Sequence, residues 1–325
     1  MQNKFLLDTT LITPHSTLII GLSGGPDSVC LLDQLVKLKE KLSLTLIAVH
    51  VNHEWRTCAI KDQLLCQELC RIVQVPCIIK KVSELPSIDL PHGSQEERGR
   101  ILRRYIFETV ARDYQAQAIV LAHHQDDQLE TFFIRLIRGS TITGLTGIQK
   151  QSGLYIRPLL HRTKQEILEY LQQEKLTYIT DPTNTSTKYL RNRIRHTLIP
   201  TIIHTDQRST RTILRTMSRL QEAENFLQNL TRSTFTTLCT QTKFSPCTLD
   251  LHAWRSLDHY IQTRVIQYWL VQEKVPHVLT QTFIEELERF LCSPRGGTHH
   301  VHHSWSMIKK QHYAWISKQD LLANF

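Results

Sequence analysis

Over the first 140 residues, short β-branched runs alternate with longer stretches of helical spacing. TLIIGLS precedes SVCLLDQLVKLKEKL, LTLIAVHVN precedes AIKDQLLCQELCRIV, CIIKKV precedes SQEERGRILRRYIFETVARDY, and AIVLAH precedes DDQLETFFIRLIRG. Four strand–helix units in series predict an α/β fold, a parallel sheet covered by helices on both faces. A Gly-rich link, a short strand YIRPLL and a helix RTKQEILEYLQQEKL follow, and DPTNTST then reads as a turn. From residue 206 to about 239 the spacing is helical again. There Ile213, Met217, Leu220, Leu227 and Leu230 form one apolar stripe, which predicts a connector helix packed against something. The rest, ending in RGGTHHVHHSWSMIKKQHYAWIS, reads as helices and a terminal hairpin. This places a domain boundary near residue 205, between a sheet domain at 1–205 and a smaller, mainly helical domain at 206–325.

The first apolar run is broken by Ser23, Gly24, Gly25, Pro26, Asp27 and Ser28 before its helix begins. In an open parallel sheet the ligand crevice lies at the carboxyl ends of the strands. SGGPDS follows the first strand, NHEWR the second and HHQDDQ the fourth, so three polar clusters converge on one edge. Glycines after a strand let the backbone turn tightly and aim N–H groups at an anion beside a helix N-terminus. The loop is not the GxxxxGK[ST] type, and GxGxxG is absent. Pro26 fixes φ, and Asp27 adds a carboxylate suited to Mg²⁺ on a pyrophosphate. A plain strand-to-helix turn capped by Asp or Ser is the alternative.

Composition narrows the class. At 325 residues the chain has room for two or three domains, and its mean hydropathy of −0.27 comes with no apolar run near the roughly 18 residues of a membrane span. The N-terminus lacks the marks of a signal peptide, so a cytoplasmic location is expected. Eight cysteines are too sparse for a disulfide scaffold, and none forms CxxC. Cys66 and Cys70 share a helix face, as core residues do. His299, His300, His302 and His303 are either metal ligands or a polar strand face. The net charge of +9 is uneven, because 17 Lys and Arg meet 16 Asp and Glu in the first 150 residues, leaving eight units beyond. Arg191, Arg193, Arg195, Arg208, Arg211 and Arg215 supply a density suited to a polyanion, or else a solvated helical surface.

Residues 23–28 resemble the SGGxDS loop of the N-type ATP pyrophosphatases, which cleave ATP between the α and β phosphates. HVNHEWR at 50–56, AHHQDDQLET at 122–131, RGS at 138–140 with Gly144 and Leu145, RPLL at 157–160 and DPTNTSTKYLRNRIR at 181–195 resemble, in order, the tRNA(Ile)-lysidine synthetase family. The tail from about residue 249 is similar to that family's first C-terminal domain. Two departures stand out. Glu54 and Trp55 replace the usual Gly-Leu, and the ExxARxxRY helix matches at Glu96, Arg100 and Arg103 but has Arg104 for the tyrosine. Longer members also carry a further C-terminal domain.

The resemblance implies a PP-loop domain that, with ATP and Mg²⁺, adenylates the wobble cytidine in the CAU anticodon of tRNA(Ile) and lets free lysine displace AMP. It assigns residues 23–28 to the triphosphate, and Arg100, Arg103 or Arg138 to phosphate or to lysine's carboxylate. His123 and His124 either face the nucleotide or are packed strand-end histidines, and Arg191 and Arg195, four apart on one helix face, are candidates for tRNA phosphates or else part of a solvated surface. Asp127 and Glu130, spaced as a capping box at a helix start, either cap that helix or hold lysine's ammonium groups or metal. Asp181 and Asn184 either stabilise their turn or touch substrate. A tRNA thiolase and a non-catalytic RNA-binding protein are the rival readings.

Overall fold

The computed structural model describes residues 6–55, 59–85, 94–180, 189–241, 245, 247–276 and 280–318. Asp181 and Asn184 lie outside them. The chain forms two compact units, Met1–Leu220 and Gln221–Phe325.

In the first unit β1 (Thr17–Gly21), β2 (Thr45–Asn52), β3 (Cys77–Lys81), β4 (Ala118–Val120), β5 (Gln151–Ser152) and β6 (Tyr155–Ile156) make a sheet in the order β3-β2-β1-β4-β6-β5. All neighbours run parallel except β5 against β6. The helices α1 (Pro26–Lys39), α2 (Ala59–Ile72), α3 (Gln95–Asp113) and α4 (Gln125–Ile137) follow β1 to β4 in turn, as the spacing predicts. The chain moves outward from β1 to β3 and then returns to lay β4 on the other side of β1. That reversal opens the crevice between the carboxyl ends of β1 and β4.

Strand alternation divides the core. Leu18, Ile20, Leu46 and Val120 pack with Leu31 and Leu35 of α1, Cys66 and Cys70 of α2, and Ile167 and Leu171. Ile19, Ile47, Val49 and Ile119 point to the other face, against Ile106, Phe107 and Val110 of α3. The unit continues through α5 (Ile142–Leu145), α6 (Lys164–Gln173), α7 (Leu190–Arg193), a π-helical turn Ile194–Leu198 and α8 (Ile199–Thr205). The long helix α9 spans Ser209–Leu238, and the division between the compact units falls within it.

The second unit has more residues in helices than in strands, but its sheet is larger than the hairpin expected. β7 (Cys239–Thr240), β8 (Thr248–Asp250), β9 (Gly297–His302), β10 (Trp305–Lys310) and β11 (Tyr313–Lys318) form an antiparallel sheet in the order β7-β8-β11-β10-β9. With α10 (Leu251–Arg255), α11 (His259–Gln272) and α12 (Gln281–Cys292) it buries Trp254, Trp269, Leu287, Met307 and Ile316. A disulfide joins Cys239 to Cys247. His300 Nδ1 shares a hydrogen bond of 3.0 Å with Ser306 Oγ. His299, His300 and His302 lie on β9, and among the described residues no three His, Cys, Asp or Glu side chains are grouped to hold a metal.

The apolar stripe expected along α9 is only partly buried. Met217 is covered, but Leu230 is 37% exposed, while Glu224 and Thr231 are buried. The reason is Arg264 on α11. Its guanidinium donates to Glu224 Oε1 and Oε2 at 2.8 and 3.1 Å and to Thr231 Oγ1 at 3.2 Å.

Candidate active site

Gly24 sits at φ +79°, a conformation that disfavours a side chain, and a Cβ there would come within 3.3 Å of Cys66 Sγ. Ser28 Oγ donates to Gly25 O at 2.9 Å and accepts from Ser23 N at 3.1 Å, which closes the loop on itself. Gly25 is the N-cap of α1, Pro26 occupies the first turn, and no side chain caps the helix. The first N–H groups of α1 are thereby left facing the crevice, ready for an anion.

Two more helices begin there. Lys164, first residue of α6, donates its backbone N–H to Asp126 Oδ2 at 2.7 Å and its Nζ to Asp27 Oδ1 at 2.6 Å. His124 is the N-cap of α4, and its Nε2 lies 3.7 Å from Asp27 Oδ1 and 3.5 Å from Asp127 Oδ2. Three helix N-termini therefore meet around one acidic cluster, and their dipoles favour its ionised state.

Burial disfavours charge on Asp27, but the adjoining His124 and Lys164 outweigh it and hold the carboxyl below its ordinary range. Burial also works against a charged His124, and Asp126, Asp27 and Asp127 overcome it, pushing its pKa up to about 9. His123 behaves in the opposite way. It is buried, with Arg157, Arg191 and Arg100 adding to the effect of burial over the opposing pull of Asp127, and its pKa falls to about 4. At neutral pH His124 is an imidazolium and His123 is neutral. For His124 the folded pKa exceeds the unfolded value near 6.5, so its contribution to stability is complete below about pH 6.5 and is lost as pH rises through about 9. Thermal unfolding of the metal-free protein across that interval should show a progressive fall that His124→Gln lacks.

Asp127 and Glu130 do not form the capping box their spacing allows. Asp127 Oδ2 accepts the His124 backbone N–H at 3.0 Å, which is a cap, but its Oδ1 accepts from Arg191 Nη2 at 2.7 Å. Glu130, 1% exposed, caps nothing. It accepts from Arg191 Nε at 2.6 Å and from Arg195 Nε and Nη2 at 2.5 and 3.1 Å. Arg191 and Arg195, expected on tRNA phosphates, are thus closed on buried carboxylates, which a phosphate would have to displace.

Arg100 and Arg103 are both exposed on α3, and their charges are felt in different places. Burial is the main cause that disfavours the protonated forms of His123, Arg135, Arg157 and His53; Arg100 adds to it at the first three and Arg103 at His53. Arg138 is the C-cap of α4, roughly 16 Å along the helix axis from Asp127. Sequence reasoning missed Arg135, which donates to Gly144 O at 2.5 Å and Gly147 O at 3.0 Å and so folds the link after α4. Its place one turn before the RGS motif was the available signal.

Residues 2–202 match the PP-loop domain family, and residues 249–316 match the TilS substrate binding domain. The chain belongs to the PP-loop domain family. Among curated relatives, a tRNA(Ile)-lysidine synthase of Bacillus cereus is 30% identical over 89% of this chain and 62% of its own length. That of Clostridium perfringens (strain 13 / Type A) is 35% identical over 72% of this chain and 51% of its own. The chain thus spans about 62% or less of these relatives' length. The U34-tRNA thiolase NcsA from Methanococcus maripaludis with its [4Fe-4S] cluster superposes with a TM-score of 0.58 at 20% identity, covering 67% of this chain and 75% of that one. This likeness concerns the fold.

Proposed function

We propose that the chain joins lysine to the wobble cytidine of the CAU anticodon of tRNA(Ile). ATP is cleaved to AMP and pyrophosphate through an adenylated cytidine, and the product tRNA reads AUA as isoleucine. The observation that carries this reading is the unbroken polar chain from the phosphate loop through Asp27, His124 and Asp127 to Arg191 and Glu130. It ends in alternating carboxylates and guanidinium groups. Lysine brings two ammonium groups and a carboxylate, and that array offers both signs of charge within one side chain of the phosphate site. The match to a TilS substrate binding domain and the names of the curated relatives support the same substrate.

The loop at residues 23–28 and the start of α1 would hold the triphosphate. Lys164 and the His124 imidazolium lie where charge develops as pyrophosphate leaves. Mg²⁺ commonly takes one or two carboxylates and completes its shell with phosphate oxygens and water, so Asp27 alone fits the protein's share. When bound, it would offset the charge of the departing pyrophosphate.

For the tRNA backbone the better surface is α9, where Arg211, Arg215 and Arg219 recur every fourth residue and all are exposed. Replacing the three with Ala should weaken tRNA binding and flatten the slope of log K against log salt by about two to three units. An unchanged slope would return these arginines to a solvated face.

Sulfur insertion has less support. Cys30, Cys66 and Cys70 are buried, Cys77 is half-buried, and Cys292 is the exposed free thiol among the described residues. No described helix is long and apolar enough to cross a membrane. We place the protein in the cytoplasm with its tRNA. Incubating tRNA(Ile) with the protein, ATP and lysine, followed by mass analysis of its nucleosides, tests the reading. Lysidine in place of cytidine is expected, and unmodified cytidine would overturn it.

A further inference from the structure

The loop after β2 carries an aromatic surface that the phosphate and carboxylate sites do not use. Trp55 is 46% exposed, and it stacks on His53 with ring centroids 4.4 Å apart and planes inclined by 23°. The indole is seated on α3 at Gly99, where a Cβ would fall 2.4 Å from Trp55 Cη2. Any larger residue at 99 would displace it. The loop is braced on both sides of the turn. Glu54 adopts φ +56°, its N–H donates to Asn52 Oδ1 at 2.9 Å, and its Oε2 accepts from Ser83 N at 2.9 Å. His53 contributes two buried ring nitrogens with no hydrogen-bond partner among the described residues, so here it serves as an apolar plate.

A half-exposed indole on a braced loop, seated at Gly99 next to Arg100 and one helical turn before Arg103, has the chemistry of a base-stacking platform. Its side of the sheet identifies the base. The phosphate loop opens α1, which packs on one face, whereas Trp55 rests on α3, which covers the other. A nucleotide held by its phosphates at α1 leaves this far side to the second substrate.

We infer that Trp55 is the platform on which an unpaired base of the RNA substrate stacks beside the phosphate site. The inference rests on the functional reading above in taking RNA as that substrate.

The test compares binding of a hairpin RNA with CAU in its loop, and the KM for ATP, in the unaltered protein and in Trp55→Leu, Trp55→Phe and Gly99→Ala. Trp55→Leu should weaken hairpin binding about tenfold or more, with the salt slope and the KM for ATP unchanged, because stacking is lost without loss of an ion pair. Trp55→Phe should retain most of the affinity. Gly99→Ala should reproduce the defect, and combining it with Trp55→Leu should add little, since both remove one contact.

Unaltered hairpin affinity in Trp55→Leu overturns the inference, as does a defect confined to ATP, which would give the platform to adenine. A defect shared equally by Trp55→Phe overturns it too, by showing a packing role. Hairpin binding that needs Trp55 in a protein that forms no lysidine leaves the inference standing and fails the functional reading.

Discussion

Glu130→Gln is expected to lower lysine transfer on the order of 100-fold or more while adenylation of tRNA by ATP persists in part. Both carboxylate oxygens of Glu130 are engaged by Arg191 and Arg195, and the side chain is 1% exposed. The substitution removes the charge that balances two guanidinium groups and turns an amide N–H₂ toward donors. Removing one partner of a buried pair costs about 3–5 kcal/mol, and a part of that felt in the transition state alone accounts for a hundredfold. The phosphate loop and Asp27 are not hydrogen-bonded to Glu130, so the ATP-dependent half should survive better. Single-turnover assays that follow adenylated tRNA and lysidine separately would decide. If both steps fall together with the melting temperature, Glu130 is a scaffold for the arginines. If lysine kinetics are unaltered, its place in the lysine site is lost.

The acidic cluster was legible in the sequence as to place, but not as to pairing. SGGPDS and HHQDDQ could be set on one edge because each follows an apolar strand, and strand ends in a parallel sheet share an edge. What Asp127 and Glu130 touch could not be read this way. The D-x-x-E spacing states a local possibility, a capping box with Asp127 as its N-cap, but the N-cap lies three residues earlier, at His124, and Asp127 sits at the helix's third position and accepts the His124 N–H. The partner that decides Glu130 comes from 61 residues further along, in a basic run whose periodicity looks the same whether it faces solvent, phosphate or carboxylate. Lys164 reaching Asp27 across 137 residues is invisible for the same reason.

The sheet of the second unit was partly hidden for another reason. β7 and β8 have two and three residues, too few for alternation to register, whereas β10 and β11 have six each and read as a hairpin. At Trp55 the sequence showed a departure from the family pattern, and only the structure connects it to Gly99 on another element.

Glu224→Ala is expected to destabilise the second unit by about 3–5 kcal/mol, a larger loss than truncating any one apolar residue of the α9 stripe within that unit. The Glu224 side chain is 2% exposed and that of Arg264 11%, and both carboxylate oxygens accept from the guanidinium. Deleting the carboxylate leaves Arg264 with Thr231 Oγ1 and the face of Tyr260, 5.7 Å to the ring centroid, neither of which balances its charge. Leu230, 37% exposed, has little burial to lose, so Leu230→Ala should cost well under about 1 kcal/mol. Denaturant unfolding of the two variants checks the ranking. The double replacement Glu224→Leu with Arg264→Met should recover most of the stability, because it removes the unpaired charge along with its partner and keeps volume in the core. Equal losses for Glu224→Ala and Leu230→Ala would show that the apolar stripe, and not the ion pair, holds α9 to its unit.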